Sequence, residues 1–305
     1  MLKISGTFLD EITHDIPSQN WGVVEWENDF KAMKTIGIDT VILIRAGYQK
    51  QVTFNSKVLQ KEMNCYPAYT DFVELFLNQA AKHDMVFYFG TYDSGLYWHH
   101  EQYEKEAEIN KAFSDEFMEK YGHHKAFGGW YISHEISVYD EGMMRVYDEL
   151  AAYLRSLKNV PIMISPFIKG EKQFGNQAIT PEEHEKEWTA VFDRVKGLVD
   201  IVAFQDGNVS IDVLSEYLEI NRSLANKYDI HSWSNVEAFD RDMPIKFPPI
   251  DFRRLRLKME KAEAAGMEKL ITFEFSHFMS PNSIYPSANY LYHRYLEWLE
   301  KPDSA

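Results

Sequence analysis

Eight short apolar runs recur along the chain, and a helical pattern follows each one. The runs are ISGTFLD (4–10), TVILIRAGY (40–48), MVFYFGTYDS (85–94), GGWYISHEIS (128–137), VPIMISPF (160–167), DIVAFQDGN (200–208), DIHSWSNVEAF (229–239) and KLITFEFSHF (269–278). Several are almost continuously apolar. That is the mark of parallel strands covered on both faces. Between them, apolar residues step at helical spacing. Trp26, Phe30 and Met33 form one stripe, and Ile109, Phe113, Phe117 and Tyr121 another. Met143, Val146, Tyr147, Leu150 and Leu154, then Trp188, Phe192, Val195 and Val199, then Phe252, Leu255, Met259 and Ala262 complete the set. Thr180-Pro181-Glu182-Glu183 reads as a helix start, and Asp71 as a cap. IGIDT (36–40) and AAGMEK (264–269) each place a Gly at a helix end.

Eight strand–helix units predict an α/β protein, a (β/α)8 TIM barrel formed as one domain over residues 1–305. No G-x-G-x-x-G follows the first strand, which disfavours a dinucleotide fold. The Pro-rich segment DRDMPIKFPPID (240–251) is expected to be a barrel loop.

Composition narrows the function. The formal net charge is −15, so a nucleic-acid or anionic membrane partner is not expected. No apolar run reaches the ~18 residues of a membrane span. The single cysteine, Cys65, excludes an intramolecular disulfide and reads as a packing residue. The opening MLKISGTFLD enters a strand without a signal-peptide pattern. The expectation is a cytoplasmic protein if the chain is native and full length, and a periplasmic or secreted one if a leader was removed. Oligomeric state is left open.

Active sites of such barrels lie at the C-terminal ends of the strands. Those ends carry Asp10, Arg45, Tyr92, His134-Glu135, Gln205-Asp206, Asn235-Val-Glu237 and Glu274. Carboxylates recur around the rim. Two facing carboxylates are the minimum for glycoside hydrolysis, one as acid and one as nucleophile or base. Glu135 and Glu237 end the fourth and seventh runs and are the leading pair. Asp206 is the main rival for the second role, with Glu274 behind it. Arg45, Tyr92, His134, Gln205, Trp233 and Asn235 are expected to hold substrate. Trp21, Tyr48, Tyr92, Tyr97, Trp98, Phe167, Trp233 and Phe239 also fall at strand ends or in loops, where rings stack on sugars. His99-His100 and His123-His124 lack metal-ligand spacing, so no metal or other cofactor is expected. A non-catalytic carbohydrate-binding barrel is the alternative, and a metal-dependent barrel hydrolase a weaker one.

The strand-four and strand-seven glutamates resemble the clan of retaining glycoside hydrolases built on (β/α)8 barrels. That resemblance implies Glu135 as acid/base and Glu237 as nucleophile. His134 departs from the Asn that the clan places before its strand-four Glu. A closer likeness rests on GTFLD (6–10), the Trp21–Val41 pattern, GWYISHEI (129–136), FQDG (204–207) and NVEAF (235–239). These are similar to the uncharacterised domain family numbered 4434, whose members are described as glycoside-hydrolase-type barrels. This likeness adds Asp10, Gln205 and Asp206 to the expected site.

Overall fold

The computed structural model describes residues 1–13, 16–243 and 247–300. Eight parallel strands close into a barrel. They are β1 (Ile4–Leu9), β2 (Thr40–Leu43), β3 (Val86–Gly90), β4 (Phe127–Tyr131), β5 (Ile162–Ile164), β6 (Ile201–Gln205), β7 (His231–Asn235) and β8 (Lys269–Thr272). Each pairs with its neighbours in sequence, and β8 returns to β1 with Ile4 opposite Leu270 and Thr7 opposite Thr272. The outer ring is α1 (Val23–Thr35), α2 (Phe72–Lys82), α3 (Tyr103–Tyr121), α4 (Glu141–Leu157), α5 (Pro181–Val195), α6 (Leu214–Tyr228), α7 (Phe252–Ala264) and α8 (Pro286–Leu299).

The helix signals act as expected. Thr180 accepts from the Glu183 backbone N–H while Glu183 reaches back to Thr180, a capping box at the start of α5. Asp71 accepts from the Glu74 N–H at the start of α2. Gly37 and Gly266 hold φ of 89° and 80° after α1 and α7, the left-handed turn that glycine adopts without strain.

Strand residues alternate between two cores, because successive side chains point to opposite faces. Val41 and Leu43, Phe87 and Phe89, and Trp130 and Ile132 pack outward against the helices. Ile42, Tyr88, Tyr131, Met163, Ile201, Ala203 and Ile271 fill the barrel. The second and third apolar runs are longer than their barrel strands. Their ends, Gly47–Tyr48 and Tyr92–Asp93, leave the barrel and join Gln51–Val52 in a three-stranded sheet on the rim. The eighth run likewise ends at Thr272 and turns into a short helix, Phe275–Phe278. In segment 240–251, Phe239 bridges Pro249, and residues 244–246 lie outside the described residues. Among the described residues no helix is long and apolar enough to cross a membrane.

Candidate active site

A cavity of about 340 Å³ opens at the C-terminal ends of the strands. Seven of the eight units contribute to its wall, from Phe8 on β1 and Thr13 after it to Phe273 after β8. Glu135 and Glu237 both line it, together with Arg45, Gln205 and Asn235. Strand alternation explains the choice. Glu135 continues the inward parity of Tyr131, and Asn235 and Glu237 continue that of Trp233. Gln205 continues that of Ala203.

Glu237 is 2% exposed. Arg241 holds it with Nε on Oε2 at 3.2 Å and Nη2 on Oε1 at 3.1 Å. The Arg241 guanidinium sits over the rings of Phe239 and Phe247, at 4.9 and 5.0 Å. Behind Glu237 stands Asp206, which accepts the Glu237 backbone N–H at 3.0 Å. Lys258 reaches in from α7, with Nζ 2.6 Å from Asp206 Oδ1 and 3.0 Å from the Glu237 carbonyl. Burial raises the Asp206 pKa, and Lys258 works against that rise. A Cβ at Gly207 would lie 1.5 Å from Glu237 Oε2, so the glycine makes the room that this carboxylate fills.

Glu135 accepts from the Tyr131 hydroxyl at 3.3 Å. Arg45 bridges it to Asp93, with Nη2 3.7 Å from Glu135 Oε1 and Nε 3.3 Å from Asp93 Oδ2. Burial would lower the Arg45 pKa, but Glu135 and Asp93 hold it above the usual arginine range. Burial would raise Asp93, but Arg45 and His134 hold it below the usual carboxylate range. His134 has the outward parity of Ile132. It lies in the shell under α3, 1% exposed, with Nε2 2.8 Å from Glu106. Burial opposes its protonation, yet Glu106 overrides this and raises its pKa.

The other predicted residues do not reach the cavity wall. Asp206 and Glu274 have outward parity. Glu274 caps the helix Phe275–Phe278 through the Ser276 and His277 N–H groups and pairs with His277 Nδ1 at 2.6 Å. Asp10 is 1% exposed and turns onto Thr13 and the Ile12 N–H. The Tyr92 ring packs against Phe113, and its hydroxyl donates to the Gln49 carbonyl at 2.7 Å. Trp233 points into the barrel, but a layer below Asn235. It lines a cavity at the opposite end, with Lys269 Nζ over its ring. Of the expected aromatic platform, Phe167 and Phe239 line the cavity, joined by the unforeseen Phe8, Phe247 and Phe273.

Among the described residues, Asp93, Glu106 and His134 bring three ligand-type atoms within 4.8 Å of one another. Most of their ligand atoms are already engaged, and of the three residues only His134 keeps a buried atom, Nδ1, without a hydrogen-bond partner. Glu106 takes His134 and the N–H and hydroxyl of Ser94, and Asp93 takes Arg45, Gly95 N and Trp98 Nε1. The group is a charge-paired network that fits a metal ion poorly.

Residues 4–285 match the model of a domain of unknown function, DUF4434. The chain belongs to that family. A Bacteroides thetaiotaomicron protein described as a "putative alpha-L-fucosidase" is 50% identical to this DUF4434 chain, with a TM-score of 0.95 over 98% of this chain and 94% of that one. The endo-1,4-beta-D-mannanase of Thermotoga petrophila shares the fold at 12% identity, with a TM-score of 0.63 over 97% and 100% of the two chains. A glycoside hydrolase family 5 protein of Bacteroides vulgatus shares it at 14% identity, with a TM-score of 0.57 over 90% and 58%. No curated protein matches the DUF4434 chain. Its barrel is thus of glycoside-hydrolase type.

Proposed function

We propose that this DUF4434 protein hydrolyses a glycosidic bond in an oligosaccharide or glycoconjugate, with Glu135 and Glu237 as the working carboxylates. One observation carries the reading: the segments after β4 and β7, two strands separated by β5 and β6, present these two carboxylates to one cavity. Glu135 protonates the leaving oxygen as Glu237 bonds to the anomeric carbon. Glu135 then takes a proton from water as that water attacks the same carbon and frees Glu237. Arg45, Gln205 and Asn235 hydrogen-bond sugar hydroxyls, and the five phenylalanine rings of the wall meet the C–H faces. The description of the 50% identical relative makes an α-L-fucoside the first substrate to try.

The test is a panel of aryl glycosides that includes the α-L-fucoside, with release of the aryl alcohol and the anomer of the freed sugar as readouts. Glu135→Gln is expected to lower kcat/KM by about 10²–10⁴-fold on a glycoside with a poor leaving group, the usual size of a general-acid contribution. Glu237→Gln is expected to abolish turnover. Hydrolysis that survives both changes would sink the assignment.

A second reading is a carbohydrate-binding barrel without turnover. The two-pronged grip of Arg241 on Glu237 favours it, because both carboxylate oxygens are engaged. Calorimetry that finds a glycan bound but unchanged after prolonged incubation would select this reading.

A further inference from the structure

We propose that Asp93, which does not line the cavity, sets the acidity of Glu135 by sharing the charge of Arg45. The inference rests on the reading of Glu135 as proton donor. A guanidinium beside a carboxyl favours its ionised form, which is a handicap for a group that must carry a proton. Arg45 is placed so that Glu135 receives only part of its charge. Its Nε faces Asp93 at 3.3 Å and its Nη2 faces Glu135 at 3.7 Å. With 9% of its surface exposed, Arg45 has little water to screen either contact.

Asp93 has no freedom to leave. It is 3% exposed, and its Oδ1 accepts from Gly95 N and Trp98 Nε1, both at 2.9 Å. Behind it lie His134 and then Glu106, both buried. Glu106, His134, Asp93 and Arg45 thus form a line of alternating acidic and basic side chains behind Glu135. Other groups face this line as well. The Tyr131 hydroxyl donates to Glu135, Tyr147 donates to the His134 carbonyl, and Asp10 acts on Arg45 from the β1 side, with His277 beyond it. The row makes Asp93 a positioning residue for charge. It touches no substrate, yet it decides how much of Arg45 the acid feels.

The arrangement gives a signed test. The full chain is labelled with 13C at Glu side-chain carboxyls, and the Glu135 signal is assigned by its loss in Glu135→Gln. Its titration midpoint is then measured in the wild type, in Asp93→Asn and Asp93→Ala, and in Arg45→Gln. Loss of Asp93 is expected to lower the midpoint by about one pH unit, the order of a neighbouring unit charge, and loss of Arg45 to raise it by a similar amount. Two Asp93 replacements are made so that one folded variant suffices. A midpoint that stays or rises without Asp93, or shifts of the same sign for Asp93 and Arg45, would overturn the proposal. On a cleaved glycoside, the basic limb of kcat/KM should move with the NMR midpoint. If the wild type cleaves no glycoside, the hydrolase reading fails, and the NMR titration still decides the role of Asp93.

Discussion

Gly207 shows how narrowly the proposed nucleophile is seated. Glu237 Oε2 occupies the place where any other residue would carry Cβ. The obstructing atom is the far end of a side chain, so an added methyl displaces the carboxylate rather than the backbone. Gly207→Ala should therefore keep its melting temperature within a few degrees and lose at least tenfold in kcat/KM; unchanged activity would show that the seat of Glu237 does not matter. Glu135 and Glu237 were legible because each ends an apolar run. Arg241 left a fainter trace, standing four residues after Glu237 with the opposite charge. Phe247 left none, since it arrives on a loop with no periodicity. Glu106 looked like any acidic residue near a helix start, and only the outward turn of His134 reveals its partner.

Among the elements, the barrel itself was the most legible. Its strands are covered on both faces and its helices on one, and each condition writes a distinct period into the sequence. Polarity at a strand end does not by itself place a side chain in the cavity wall. Period two separates inward Glu135, Gln205, Asn235 and Glu237 from outward His134, Asp206 and Glu274. Trp233 has the right parity but the wrong height. The same arithmetic applies to α7. Lys258 stands three residues after Leu255 and four before Ala262, on the buried stripe, and is 4% exposed. It is the cation that answers Asp206. Lys258→Met keeps the packing and strands a buried carboxylate, at a cost of about 3 kcal/mol, the low end for breaking a buried pair because Asp206 can take up a proton. Urea unfolding measures this, and a cost below about 1 kcal/mol would mean that Asp206 needs no partner.

For the whole molecule, the joint between the last unit and the first is held partly by charge. His277 donates Nε2–H to the Pro17 carbonyl at 2.7 Å and faces Glu274 through Nδ1 at 2.6 Å. Burial would depress its pKa, but Glu274 raises it from 6.5 to about 9. A group whose pKa rises on folding stabilises fully below its unfolded value and loses that contribution as pH climbs through the folded one. His277→Gln should therefore cost on the order of 3 kcal/mol more at pH 6 than at pH 10, with the change spread between about pH 6.5 and 9. Denaturant midpoints of the two proteins across that range provide the check; a constant gap would mean that His277 does not change charge there.

The joint between β1 and β8 also bears on how the chain is made. A closed ring has no edge strand, so the finished barrel sheet offers no ladder on which another copy can add. That protection arrives late. Ile4 waits for Leu270, nearly the whole chain away, before its strand has a second neighbour. During synthesis β1 and the newest strand both stay open. The hazard of intermolecular strand pairing thus belongs to the nascent chain, and it ends when the ring closes.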